Sequence, residues 1–153
     1  MQVRRRLVTP GDEAFVKRLI VATVAEDLQA WAWPETLRTS LLEMQYRGRL
    51  QSIDVDSPTA EKSIILAGDD PVGWVVIDWA GACTNVVDIA ILGQHRGAGI
   101  GGAVLREIIE ESAGKPVALS VNITNRAARL YERLGFKRVG GDEVQHFLER
   151  LPD

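Results

Sequence analysis

Apolar positions recur along the chain with different spacings, and the changes of spacing mark the elements. From Gln2 to Val8, Val3, Arg5 and Leu7 alternate with Arg4 and Arg6, a two-residue period that predicts a first strand. Thr9-Pro10-Gly11-Asp12-Glu13 breaks that period and opens a helix: a capping threonine, a proline at the first helical position, then acidic residues where the helix dipole favours them. The helix is predicted to reach about Leu28, with Phe15, Leu19, Ala22 and the neighbouring Val16, Ile20 and Val24 inward. Pro34 restricts Trp33 and ends helical geometry within Gln29–Pro34. A second helix is predicted over Glu35–Arg47, with Leu37, Leu41, Leu42 and Met44 inward. The polar stretch from Arg47 to Glu61, which contains Pro58, reads as irregular and as the most mobile segment.

Beyond residue 61 the runs shorten and become β-branched. Lys62–Ala67 and Val72–Trp79 are predicted strands joined through Gly68-Asp69-Asp70-Pro71, a turn sequence, and so form a hairpin. Val86–Leu92 is a buried strand by composition. A glycine-rich loop, Gly93–Gly102, follows it, and then an amphipathic helix with Ile100, Val104, Leu105, Ile108 and Ile109 on one face. Gly114-Lys115-Pro116 ends that helix and Val117–Val121 returns as a strand, a crossover that predicts parallel pairing with Val86–Leu92. A helix over about Asn125–Leu134, closed by Gly135, and a terminal hairpin of Phe136–Val139 and Val144–Leu148 complete the chain. The order is β-α-α-β-β-β-α-β-α-β-β: one α/β domain over residues 1–153, with a mixed central sheet of about seven strands and about four helices.

Composition narrows the classes. The 153 residues suffice for one domain with its own core, and the formal net charge of −3 gives no reason to expect nucleic acid or an anionic membrane as partner. Cys83, the single cysteine, excludes an internal disulfide and any cysteine-rich metal site and suits a reducing cytosol, so a cytoplasmic location is expected. Arg4-Arg5-Arg6 is not followed by the apolar stretch of a signal peptide, and no apolar run approaches a membrane span.

The candidate chemistry lies at the strand, glycine loop and helix from Val86 to Gly102. Glycines let a backbone approach a ligand closely, and the unpaired amides of a first helical turn favour an anion. Gly97-Ala98-Gly99-Ile100-Gly101-Gly102 satisfies the dinucleotide pattern G-x-G-x-x-G literally. Gln94-His95-Arg96 nevertheless separates it from the strand, and the next strand ends in Asn122 where a ribose-binding acid is needed. A P-loop fails because no Gly-Lys-Ser/Thr follows.

Arg96-Gly97-Ala98-Gly99-Ile100-Gly101 resembles the R/Q-x-x-G-x-G/A signature of the GNAT (Gcn5-related) N-acetyltransferase superfamily. Asn125-Arg126-Ala127-Ala128-Arg129-Leu130-Tyr131-Glu132-Arg133-Leu134-Gly135-Phe136 resembles that family's later N…A…LYE(R/K)LGF helix. The resemblance covers about Ser63–Phe147 and implies a three-layer GNAT-like sandwich that transfers an acetyl group from acetyl-coenzyme A to a primary amine by direct attack in a ternary complex. It implies no metal. It also implies that Arg96 and Gly97, Ala98, Gly99, Ile100, Gly101 and Gly102 hold the pyrophosphate. The backbone of Ile89, Ala90 and Ile91 would pair with the pantetheine arm, and Thr124 or Asn125 would contact the cofactor, the two being one residue apart in competing alignments. Tyr131 matches the tyrosine that protonates the leaving thiolate. In the family the strand of Ile89 and that of Val117–Val121 splay, and the acyl group sits in the gap.

The residues themselves leave alternatives beside these roles. Arg96 reads equally as a solvated surface arginine, and Tyr131 as an aromatic residue packed between Ala127 and Leu134. Thr124 and Asn125 each read as a plain helix cap. Some relatives carry a glutamate base where Ser120 stands. Asp88, inside an apolar strand, is the remaining candidate base, against a structural role facing an arginine or a loop. Trp31, Trp33, Gln45, Tyr46 and Trp79 are the candidate acceptor walls, with core cover or a homodimer contact as the other uses of the tryptophans. The competing functional classes are an acyl-coenzyme A sensor without turnover and a dinucleotide-binding module.

Overall fold

The computed structural model describes residues 2–123 and 127–153. Its elements follow the expected order: β1 (Val3–Leu7), α1 (Glu13–Asp27), α2 (Glu35–Asp56), β2 (Glu61–Ala67), β3 (Asp70–Asp78), β4 (Thr84–Ile91), α3 (Ile100–Glu111), β5 (Val117–Asn122), α4 (Ala128–Arg133), β6 (Lys137–Gly141) and β7 (Gln145–Arg150). The strands form one seven-stranded sheet in the order β1-β2-β3-β4-β5-β7-β6. Every neighbouring pair is antiparallel except β4 and β5, which are parallel as the crossover through α3 requires.

Two cores sandwich the sheet. On one face α1 and α2 bury Val16, Leu19, Ile20, Leu42, Tyr46 and Ile53 against Ile64, Leu66, Trp74, Val76 and Ala90. On the other, α3 and α4 bury Ile100, Val104, Leu105, Ile108 and Tyr131 against Ile65, Val75, Ile77, Val86, Val117 and Leu119. The alternation along β2 and β3 that feeds both cores is the expected signature of a sheet covered on both sides.

The entry to α1 is a 3-10 turn, Pro10–Asp12, before the α-helix proper. There the Asp12 carboxylate accepts from the Thr9 backbone at 2.8 Å, from the Thr9 hydroxyl at 3.1 Å and from Arg6 at 2.7 and 2.8 Å. These donors, Arg6 first, hold its carboxyl well below the ordinary value of 3.8.

The expectation that Arg47–Glu61 is irregular is corrected: α2 continues to Asp56. Leu50 and Ile53 extend the row of Leu42 and Tyr46 over the core, Arg49 reaches across to β4, and Pro58 follows the helix instead of interrupting it. The phase of α2 also differs from expectation. Leu37 and Met44 lie outward, 49% and 59% exposed, while Tyr46 turns inward. Leu7 at the end of β1 is likewise exposed.

Candidate active site

The strands β4 and β5 pair over only three positions, Thr84↔Val117, Asn85↔Ala118 and Val86↔Leu119. From there they part. β4 runs on to Ile91 beside β3, and β5 runs on to Asn122 beside β7. The register of β3 against β4 shifts between Val76 and Ile77, leaving Val87 as the extra residue of a β-bulge at the point of separation. Bulges bend the strand that carries them, and this one stands where β4 leaves its partner. Ile89, Ala90 and Ile91 therefore present one backbone edge to β3 and the other to the gap.

The loop after β4 exits through a 3-10 turn, Gly93–His95, into Arg96. Gly97 and Gly99 then adopt φ of +79° and +81°, the left-handed region where a side chain is strained. A Cβ built on either would meet nothing within 4 Å, so the backbone faces open space there. Among the described residues no protein acceptor is found for the backbone N–H groups of Gly97, Ala98, Gly99, Ile100, Gly101 or Gly102; the first helical bond of α3 is Ala103 to Gly99, at 3.0 Å. Six consecutive amides without a partner among the described residues, at the start of a 12-residue helix and with left-handed glycines at 97 and 99, form a donor surface suited to an anion. Gly101 and Gly102 face neighbours instead. A Cβ at Gly101 would lie 3.4 Å from Ile91 Cδ1, and one at Gly102 would lie 3.4 Å from Leu130 Cδ1, ordinary contact distances to side chains of β4 and α4. The Arg96 side chain pairs with Glu26 of α1.

Tyr131 is 5% exposed on α4, edge-on to Phe136 at 5.9 Å between ring centroids. Burial pushes its phenol above the ordinary value of 10.0. Its hydroxyl has no hydrogen-bond partner among the described residues. A neutral phenol in that setting is a proton donor with its proton available. Thr124 and Asn125, the two alternatives for the cofactor contact, lie outside the described residues.

Asp88 faces the α2 side of β4. Its carboxylate accepts from Arg49 Nε at 2.9 Å, from a second Arg49 nitrogen, and from the Trp74 indole at 3.1 Å. This is the structural arrangement that an aspartate inside an apolar strand requires. Three donors occupy this carboxylate and tie it to α2 and β3.

The five residues considered for the acceptor walls do not gather at one place. Trp33 packs on the α1–α2 core, Tyr46 is buried within it, and Trp31 is 65% exposed on the connector. Gln45 borders a groove of about 520 Å³ with Val24, Met44, Gly48, Arg49 and Ser52. Trp79 is on the opposite face of the sheet, under Arg5, whose guanidinium lies 5.9 Å from its ring centroid. Sequence reasoning missed a second hollow, of about 410 Å³, where β4 and β5 separate. Ser57, Asn85, Val87, Ser120, Phe147 and Glu149 line it. Its lining comes from five separate elements and segments, so no local motif marks it; the one trace in the sequence is the outward alternation Gln145, Phe147, Glu149 along β7.

Among the described residues no helix is long and apolar enough to cross a membrane, and no group of three or more His, Cys, Asp and Glu side chains could hold a metal ion.

The chain matches the family model for an acetyltransferase (GNAT) domain over residues 60–138, half its length. No curated protein sequence matches it significantly. Among solved structures it is similar to an acetyltransferase from Thermus thermophilus, at 21% identity and a TM-score of 0.74 over 99% of this chain and 97% of that one. It is similar also to PaiA N-acetyltransferase from Thermoplasma acidophilum in complex with coenzyme A, at 15% identity and a TM-score of 0.72 over 99% of both chains. A third is the histone acetyltransferase HPA2 and related acetyltransferase from Corynebacterium glutamicum, at 20% identity and a TM-score of 0.69 over 100% and 98%.

Proposed function

The chain belongs to the GNAT acetyltransferase family, and on that premise we propose that it is an N-acetyltransferase that moves the acetyl group of acetyl-coenzyme A to a primary amine by direct attack in a ternary complex. The observation that carries this reading is the run of six unpaired amides from Gly97 to Gly102 beside the parting of β4 and β5. The amides receive the pyrophosphate. The free edge of Ile89, Ala90 and Ile91 receives the pantetheine arm, and the thioester lies in the gap. The solved complex of a relative in fold with coenzyme A supports the same donor.

The chemistry follows from what remains in the gap. The amine nitrogen attacks the thioester carbonyl carbon, forming a C–N bond and a tetrahedral oxyanion, which a β4 amide on the free edge stabilises. The C–S bond then breaks, and the departing sulfur takes the proton of the Tyr131 hydroxyl. The proton lost by the nitrogen passes to water, and Tyr131 is reprotonated from solvent. Asp88 holds Arg49 and the indole of Trp74, and so fixes α2 over β4 as a positioning group. Arg96 acts through its bridge to Glu26, its own amide being bonded to the Gly93 carbonyl.

Thiol release from acetyl-coenzyme A in the presence of a panel of amines tests the proposal. Release with at least one amine class is the expected result. Tight binding of acetyl-coenzyme A with no release from any amine would replace it with a sensor domain, the reading that the engaged Asp88 favours.

A further inference from the structure

The hollow where β4 and β5 separate holds one ionisable group. Glu149 stands on β7, directly across from Ala118 of β5, and its carboxylate has no hydrogen-bond or ion-pair partner among the described residues. Every other lining group named above is neutral: the hydroxyls of Ser57 and Ser120, the amide of Asn85, and the side chains of Val87 and Phe147. Lys137 is the cross-strand neighbour of Glu149 on β6, but it is exposed and makes no ion pair with it. The floor beside Glu149 is apolar and uncovered: Phe147 is 42% exposed and Val139, the irregular position of β6, is 64% exposed.

We propose that Glu149 selects the acceptor, binding the second ammonium of a linear aliphatic diamine whose first nitrogen attacks in the gap between β4 and β5. The inference rests on the acetyl-transfer reading and names the acceptor class for it. Glu149 lies two strand spacings from β4, roughly 10 Å, which a chain of several methylenes spans. That chain would cover the otherwise wet surfaces of Phe147 and Val139, so apolar burial and ion pairing act on the same molecule. An isolated carboxylate at the end of an apolar trough discriminates by charge. A monoamine of the same length leaves it unpaired, whereas a diamine satisfies it.

Two measurements test this. With the unaltered protein, the kcat/KM for 1,7-diaminoheptane is expected to exceed that for heptylamine by tenfold or more; equal values would overturn the inference. In Glu149→Gln the KM for the diamine is expected to rise about ten- to hundredfold, with kcat falling less and the preference between the two amines lost. Glu149→Asp is expected to restore part of the preference. Calorimetry of the diamine against the protein saturated with coenzyme A reads the anchor apart from turnover. Unchanged affinity in Glu149→Gln would overturn the assignment. Diamine binding that depends on Glu149, without thiol release from any amine, would leave the anchor standing and overturn acetyl transfer instead.

Discussion

The loop from Gly97 to Gly102 and the trough lined by Ser57 and Glu149 border the same gap in the sheet, yet they are made differently. The loop works through backbone: six unpaired amides, two left-handed glycines, and no functional side chain. The trough works through side chains drawn from α2, β4, β5, β6 and β7, with a single carboxylate among neutral neighbours. A surface made of main-chain groups tolerates little substitution, whereas one made of side chains can be retuned by substitution without disturbing the sheet.

The contrast breaks most sharply at Gly99. Gly99→Glu forces a side chain into φ +81° and sets a carboxylate among amides meant for an anion. Affinity for acetyl-coenzyme A should fall more than a hundredfold by calorimetry while the circular dichroism spectrum stays that of the folded protein. Gly101→Ala sharpens the point. Its Cβ would meet Ile91 at an ordinary 3.4 Å, so affinity should change less than tenfold. Next in size is Tyr131→Phe, expected to lower kcat about a hundredfold with the cofactor affinity kept. Because burial raises the phenol above 10.0, the wild-type rate should show no loss from Tyr131 ionisation anywhere below that pH. The same shift makes stability fall as pH rises past 10, since the unfolded tyrosine ionises first and the folded one last.

Smaller effects fall on the side-chain half. Asp88→Asn weakens the tie of Arg49 to β4. With the two side chains 10% and 26% exposed, it should cost about 2 kcal/mol in urea melts and raise the acceptor KM more than that of acetyl-coenzyme A. The smallest concerns Asp12, whose exposed partner Arg6 limits the gain. Asp12→Asn should cost about 1 kcal/mol. The Asp12 carboxyl is depressed in the fold, so the unfolded chain takes up its proton first as pH drops through 3.8. The wild type should therefore lose stability below that value, and the variant should lose less.

The backbone half was legible because its geometry is written in residue types. Positive φ favours glycine, and glycine at 97 and 99 stands out in any sequence; the strand before it is marked by its apolar, β-branched composition and the helix after it by its period. The side-chain half was legible only in outline. Arg49 and Asp88 are 39 residues apart and meet only once α2 lies on the sheet. The helix itself looked shorter than it is, because between Arg47 and Asp56 only Leu50 and Ile53 anchor an otherwise polar decade. Its phase was ambiguous too: Leu37, Leu41 and Met44 form an apolar row beside that of Leu42 and Tyr46. Only the cross-sheet reach of Arg49 and the fit over Trp74 and Ala90 choose between them. Trp79 is a candidate acceptor wall in the sequence but lies on the other side of the sheet from α1 and α2. One residue of β-alternation decides the face, and it faces α3.

The arginines of β1 have one more consequence. β1 and β6 are the outermost strands of the sheet, each with a ladder of backbone groups that no neighbour satisfies, and such rims recruit strands from other molecules. Arg4 and Arg6 line one rim with charge and the irregular Val139 kinks the other. A sheet bounded in this way should resist end-to-end stacking into fibrils even at high concentration.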